Sequence, residues 1–225
     1  CSTSIGGRLP SGEQTEGELF YTITEEPVKG SLELYEDGAF LYTPREGKRG
    51  RDSFGYKVLD SHGQISREYR IAVLIERQKT EIVYEDMKGR PEGYAAVLLG
   101  EKGLFVGEKV VDRYCFSPEK AVTRGEFLSI CMAISGMPLL SGVCSTGCTD
   151  DEAIPVWMKS YVSSAALRGI GVQDDGSFDP GQPIDLREAA RITEQTLGIS
   201  WPEEISEEVL DRATMARIFA TVLGS

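Results

Sequence analysis

The sequence is short of the residues on which much catalysis and metal chemistry depend. It has one histidine, His62, and an odd complement of five cysteines. It holds no nucleophile elbow, no phosphate-cradling glycine loop and no second cysteine pair at zinc-ligand spacing, so a non-enzymatic protein is expected. No run approaches the roughly 18 uninterrupted apolar residues of a membrane span. Basic charge is in deficit: the net charge is −12. Residues 1–80 hold eleven basic and thirteen acidic side chains, and residues 81–225 hold thirteen and twenty-three. Neither half offers the basic face that nucleic acid requires.

The cysteines are Cys1, Cys115, Cys131, Cys144 and Cys148. Cys144 and Cys148 share a loop of small residues, Ser141 to Cys148, in which a disulfide could close; unpaired thiols are the alternative. A mature lipoprotein begins with cysteine, which makes Cys1 a candidate lipidation point, set against a cut made within the first domain.

What is present divides near residue 79. From Leu19 to Glu76 the chain runs in short segments rich in β-branched and aromatic residues: Leu19–Thr24, Ser31–Tyr35, Ala39–Thr43, Ser53–Leu59 and Glu68–Ile75. Alternation in Leu32/Leu34, Phe40/Tyr42, Phe54/Tyr56/Val58 and Tyr69/Ile71/Val73/Ile75 turns one face of each strand inward. Asp37-Gly38 between two such runs is a hairpin signal, because glycine accepts positive φ. Regular spacing with turn signals predicts an antiparallel β-sandwich over residues 1–79.

The run from Tyr21 through Pro27, Gly30, Asp37-Gly38, Phe40 and Pro44, continued by Gly50, Asp52, Phe54, Tyr56, Asp60 and Gly63, resembles the bacterial cadherin-like, immunoglobulin-like modules of surface proteins. The resemblance covers about residues 5–76. Such modules carry a strand ahead of the segment matching Ile5–Leu9, which allows an incomplete sandwich here. Relatives sometimes bind calcium through acidic loops, making Asp37, Asp52 and Asp60 weak candidates. The residues by themselves favour turn-building for Asp37 and Asp60 and strand-end capping for Asp52, since calcium needs six to eight converging oxygens. His62 reads as a loop residue.

Past Thr80 the period becomes helical, and residues 80–225 read as an all-α domain. Three segments superpose without a gap: Thr123 to Gly136, Asp185 to Gly198 and Asp211 to Gly224. Each opens on an N-cap residue, and Glu126 and Glu188 complete capping boxes while Thr214 replaces the third glutamate. Apolar positions recur at i, i+3, i+4 and i+7, so Ile130, Ile192 and Ile218 are expected to be buried in one register. Each segment ends on a glycine suited to a left-handed cap. The first two share an upstream half as well: an aromatic-bearing helix (Tyr94; Trp157), a glycine turn (Gly103; Gly169) and Phe116-Ser117-Pro118 or Phe178-Asp179-Pro180. This is an internal repeat, with units at about 83–138 and 148–199 and a shortened one at 200–225.

Val122-Thr123-Arg124-Gly125-Glu126 and Asp175-Gly176-Ser177-Phe178-Asp179-Pro180 resemble motifs of the S-layer homology domain. That resemblance covers about residues 83–224. It implies a pseudo-threefold helical bundle at the cell surface that anchors its parent protein to an anionic cell-wall polysaccharide, with other surface proteins as further partners. It further implies that Arg124 and Arg212 grip the acidic sugar, flanked by Asp86 with Tyr94 and by Asp150 or Asp151 with Trp157. Repeat two departs from the pattern, with Leu186 at the arginine position and Arg187 one step, about 100°, further round the helix. On this reading Arg124→Ala weakens glycan retention without harming the fold, and Arg187→Ala matters little. The alternative is a structural or protein-interaction fragment whose repeats have lost the sugar.

Overall fold

Period-two segments become strands and period-3.6 segments become helices in the computed structural model, which describes residues 3–11, 18–201 and 205–224. The chain forms two compact units, one of residues 1–116 with 216–225 and one of residues 117–215. The sandwich strands end at Ile75, but the contacts divide the chain later. The reason is local: Gly6 N–H donates to Pro91 O and Tyr94 N–H to Ser4 O, both at 3.0 Å, tying the first strand to the first helix.

In the first unit six strands, β1 (Ile5–Arg8), β2 (Leu19–Glu25), β3 (Gly30–Leu34), β4 (Ala39–Pro44), β5 (Gly50–Asp60) and β6 (Tyr69–Ile75), make two antiparallel three-stranded sheets. Their orders are β1-β4-β3 and β2-β5-β6. Leu9, Phe54, Tyr56 and Val58 are buried between them, packed against Leu32, Leu34, Phe40, Ile71 and Val73. This is the alternation read from the sequence, now closing one core. The β3–β4 hairpin turns through Gly38 at φ +80°, where a Cβ would also meet the Tyr21 ring at 2.6 Å. Beyond the sandwich come α1 (Gly93–Glu101) and a small hairpin of β7 (Glu108–Val110) and β8 (Arg113–Cys115). That hairpin escapes the sequence reading, because three-residue strands are too short to show a period.

The second unit contains α2 (Arg124–Ser135), α3 (Val156–Ala166), α4 (Leu186–Leu197) and the start of α5 (Arg212–Gly224). The N-caps are those expected. Thr123 and Glu126 form a complete capping box, Asp185 accepts from Glu188 N–H at 2.7 Å, and Asp211 accepts from Thr214 N–H at 2.7 Å. One expectation fails: the Glu188 carboxylate is turned away from its own cap and towards Arg124. The residues just before the three helices are joined in a closed ring of backbone hydrogen bonds. Val122 N–H donates to Leu210 O, Leu210 N–H to Ile184 O, and Ile184 N–H to Val122 O, at 2.8–2.9 Å. All three side chains are buried. Each segment thus gives and receives one bond at an equivalent position, which is threefold symmetry in the backbone itself.

Ile130 and Ile192 are buried in the expected register, but Ile218 is only half-buried. In α5 the buried positions are Met215, Ala216 and Phe219, the counterparts of Ala189, Ala190 and Thr193 in α4, so the same face is turned inward but is less covered at Ile218. The described part of residues 199–208 holds no helix, in keeping with a shortened third repeat. Cys1, the candidate lipidation point, lies outside the described residues.

Candidate functional site

Arg124 is the first residue of α2, and the ring of backbone bonds brings that helix start against the Phe178-Asp179-Pro180 turn. Arg124 N–H donates to Gln182 O at 2.9 Å and Gly125 N–H to Pro180 O at 3.1 Å. Gly125 packs closely here: a Cβ there would sit 3.0 Å from Pro180 O and would push aside the end of the Met158 side chain. The guanidinium then points inward. Its Nε donates to Phe178 O at 2.8 Å, one Nη to Gly171 O at 2.7 Å, and the other to the Glu188 carboxylate. It also lies 5.5 Å from the Phe178 ring centre, a cation–π arrangement. Its side chain is 6% exposed.

The expectation was an arginine in a sugar groove close to an acidic side chain; the guanidinium lies instead among Phe178 O, Gly171 O and Glu188. An acidic neighbour does sit close by: Asp150 accepts from Phe178 N–H at 2.8 Å and Asp179 N–H at 2.7 Å. Asp150 holds the amide side of the peptide whose carbonyl Arg124 holds. Both residues therefore fix the Phe178 turn. Arg212, the first residue of α5, repeats the arrangement one segment round. Its backbone N–H donates to Lys120 O, and its buried guanidinium pairs with Glu126 at 3.4 Å. The rule is that the first residue of one helix reaches the third residue of the next. By that rule Leu186 falls opposite Thr214, so the two departures seen separately in the sequence belong to one junction. Sequence reasoning missed Glu188 as the partner of Arg124. The signal was there: arginine and glutamate are each missing once, in different repeats.

The other candidates are dispersed. Asp86 accepts from Phe116 N–H at 3.1 Å, the counterpart in the first unit of Asp150 and Phe178. Tyr94, on α1, is 43% exposed, and Trp157, at the start of α3, is 60% exposed beside Val156. Arg187 is exposed and pairs with Glu207. Asp151, next to Asp150, is bound by Lys159 and Thr146, which hold its carboxyl well below the usual range.

The calcium candidates are committed elsewhere. Asp37 pairs with Arg8 and accepts from Ala39 N–H. Asp60 accepts from His62 and Gln64 N–H, building its turn. Burial alone would raise the Asp52 carboxyl. Hydrogen bonds from Lys29 N–H, the Tyr42 hydroxyl and Val28 N–H outweigh that and hold it below the ordinary value. These are the turn and strand-end roles favoured by the residues themselves. Cys115, Cys131, Cys144 and Cys148 are free thiols, so the Cys144–Cys148 bridge is not formed. Burial pushes the Cys131 thiol up to about 12, making it an inert core residue.

Residues 5–69 match the bacterial Ig domain family. The match runs from β1 to the first residue of β6 and establishes the Ig-like module, of a kind typical of surface proteins. No S-layer homology domain is detected over the helical segments. No curated protein matches the chain. Among the described residues no helix is long and apolar enough to cross a membrane.

Proposed function

We propose that the chain is a non-enzymatic part of a bacterial cell-surface protein. Its Ig-like sandwich serves as a spacer or adhesion module, and its three helical segments form an S-layer-homology-like ring whose arginines serve the ring. The observation that carries this reading is the inward use of the Arg124 guanidinium, each of whose three nitrogens donates to the protein, one to a carboxylate and two to carbonyls. Gripping a sugar carboxylate needs the planar fork open to the ligand. Withdrawing it from its present partners would strand buried acceptors, each costing about 1–3 kcal/mol. The acidic charge of the second half of the chain also opposes long-range attraction of a polyanion. The ring is then a structural element that carries contacts with other surface proteins.

One observation favours a second reading, anchoring to an anionic cell-wall polysaccharide: Trp157 is 60% exposed at the start of α3. A solvent-facing indole is suited to stacking on a sugar ring. Retention on purified cell-wall sacculi, compared for the wild type and Trp157→Ala, separates the two. The structural reading expects no retention of the wild type above a non-binding control protein. Retention that Trp157→Ala abolishes would replace it with glycan anchoring.

A further inference from the structure

The threefold ring has three seams, each formed where a helix start meets the loop ahead of another helix, and they are not equally made. At the α2 seam two helix-start N–H groups reach the neighbouring loop, from Arg124 and Gly125, and the Arg124–Glu188 pair is shielded from solvent. At the α5 seam two N–H groups again cross, from Arg212 and Ala213, and Arg212 pairs with Glu126 from a side chain 4% exposed. At the α4 seam only Leu186 N–H crosses among the described residues, to Glu208 O at 2.9 Å.

Three features of the sequence explain the difference. The second helical position is glycine at 125 and alanine at 213, small enough for the helix start to sit on the loop. At 187 it is arginine, whose N–H makes no bond to the loop among the described residues. The first helical position is arginine in α2 and α5 but leucine at 186, and the opposing third position is threonine at 214. The ion pair that remains at this seam, Arg187–Glu207, lies at the surface with side chains 65% and 68% exposed. Exposed pairs contribute little and are screened by salt, whereas a shielded pair resists separation because parting it leaves a buried charge.

We propose that the ring opens and closes at the α4 seam, while the α2 and α5 seams stay closed. The three segments then behave as a hinge with two fastened joints and one working joint, between the start of α4 and residues 207–214. Opening there frees the Leu186 and Leu210 amides from Glu208 O and Ile184 O and leaves the bonds of Arg124, Gly125, Arg212 and Ala213 intact.

Native-state amide hydrogen exchange of the whole chain by NMR tests this directly, after correction for intrinsic rates. Leu186 and Leu210 are expected to exchange at least about tenfold faster than Arg124, Gly125, Arg212 and Ala213. Higher salt should widen the gap, because only the surface pair is screened. The paired substitution Leu186→Arg with Thr214→Glu rebuilds the missing ion pair and should slow Leu186 and Leu210 alone. Equal protection of all six amides in the wild type would overturn the proposal, whether or not the variant folds. So would a folded double variant in which Leu186 and Leu210 exchange as before.

Discussion

Replacing Arg124 by alanine tests whether this side chain is a structural clamp or a surface ligand. The substitution removes three hydrogen bonds, to Phe178 O, Gly171 O and Glu188, from a side chain that is 6% exposed. Breaking a buried ion pair by deleting one partner costs about 3–5 kcal/mol, mostly from the charge left behind. Here Glu188 keeps some solvent, at 17% exposure, and Arg191 stands 3.7 Å away to compensate in part. That moves the carboxylate's share to the low end. The two orphaned carbonyls add to it, each recovering part of its loss from water entering the vacated space. The sum is at least about 3 kcal/mol, against at most about 0.5 kcal/mol for an ordinary surface substitution. In a chain of this size about 3 kcal/mol corresponds to a Tm roughly 6–12 °C lower. Both tryptophans, Trp157 and Trp201, lie in the second unit, so urea unfolding followed by tryptophan fluorescence and helical ellipticity reports on the unit that contains the clamp. Arg187→Ala is the control and should stay within about 0.5 kcal/mol, its ion pair being exposed. An Arg124→Ala protein as stable as the Arg187→Ala protein would refute the clamp and return Arg124 to the role of an open ligand.

Two further outcomes follow from the packing of the core and of the sandwich. Ile192→Ala should cost about 2–5 kcal/mol in the same unfolding assay, whereas Ile218→Ala, at a half-buried position, should cost clearly less. Equal losses would mean that Ile218 is as fully buried as Ile192. Burial, then the hydrogen bond to Asp52, raise the Tyr42 hydroxyl above its ordinary value of 10.0. The folded state therefore holds the proton more tightly than the unfolded one, so this stability is intact below pH 10 and lost as pH climbs towards the raised value. Tyr42→Phe should flatten that alkaline loss for the sandwich in a pH series of thermal melts, at the expense of one hydrogen bond near neutrality. An unchanged alkaline slope would assign the loss to other groups.

Much of the architecture was legible in the residues because it rests on short-range rules. Two-residue alternation from Leu19 to Ile75 marks strands, Asp37-Gly38 marks a hairpin, and Thr123, Asp185 and Asp211 mark helix starts to the residue. Each of these effects acts within a turn or a strand and needs no knowledge of the fold. Superposing the three helical segments also revealed that they are copies. Local rules ran out at α5, where a pattern shared with α4 left Ile218 only half-buried, and at β7–β8, which are too short to carry a period.

The function of the arginines was decided only by tertiary structure. At a helix start the sequence permits Arg124 to face solvent or to face inward, since both leave the apolar stripe unchanged. The ring through Val122, Ile184 and Leu210 brings residues 26 to 88 positions apart to hydrogen-bonding distance, and that closure puts Glu188, Gly171 O and Phe178 O around the guanidinium. The same closure pairs Leu186 with Thr214 and so turns two separate departures from the repeat into one weak seam. The sequence by itself determined the elements, their caps and the existence of three copies; which copy faces which, and hence which charges are shielded, depended on long-range contacts that no local pattern encodes.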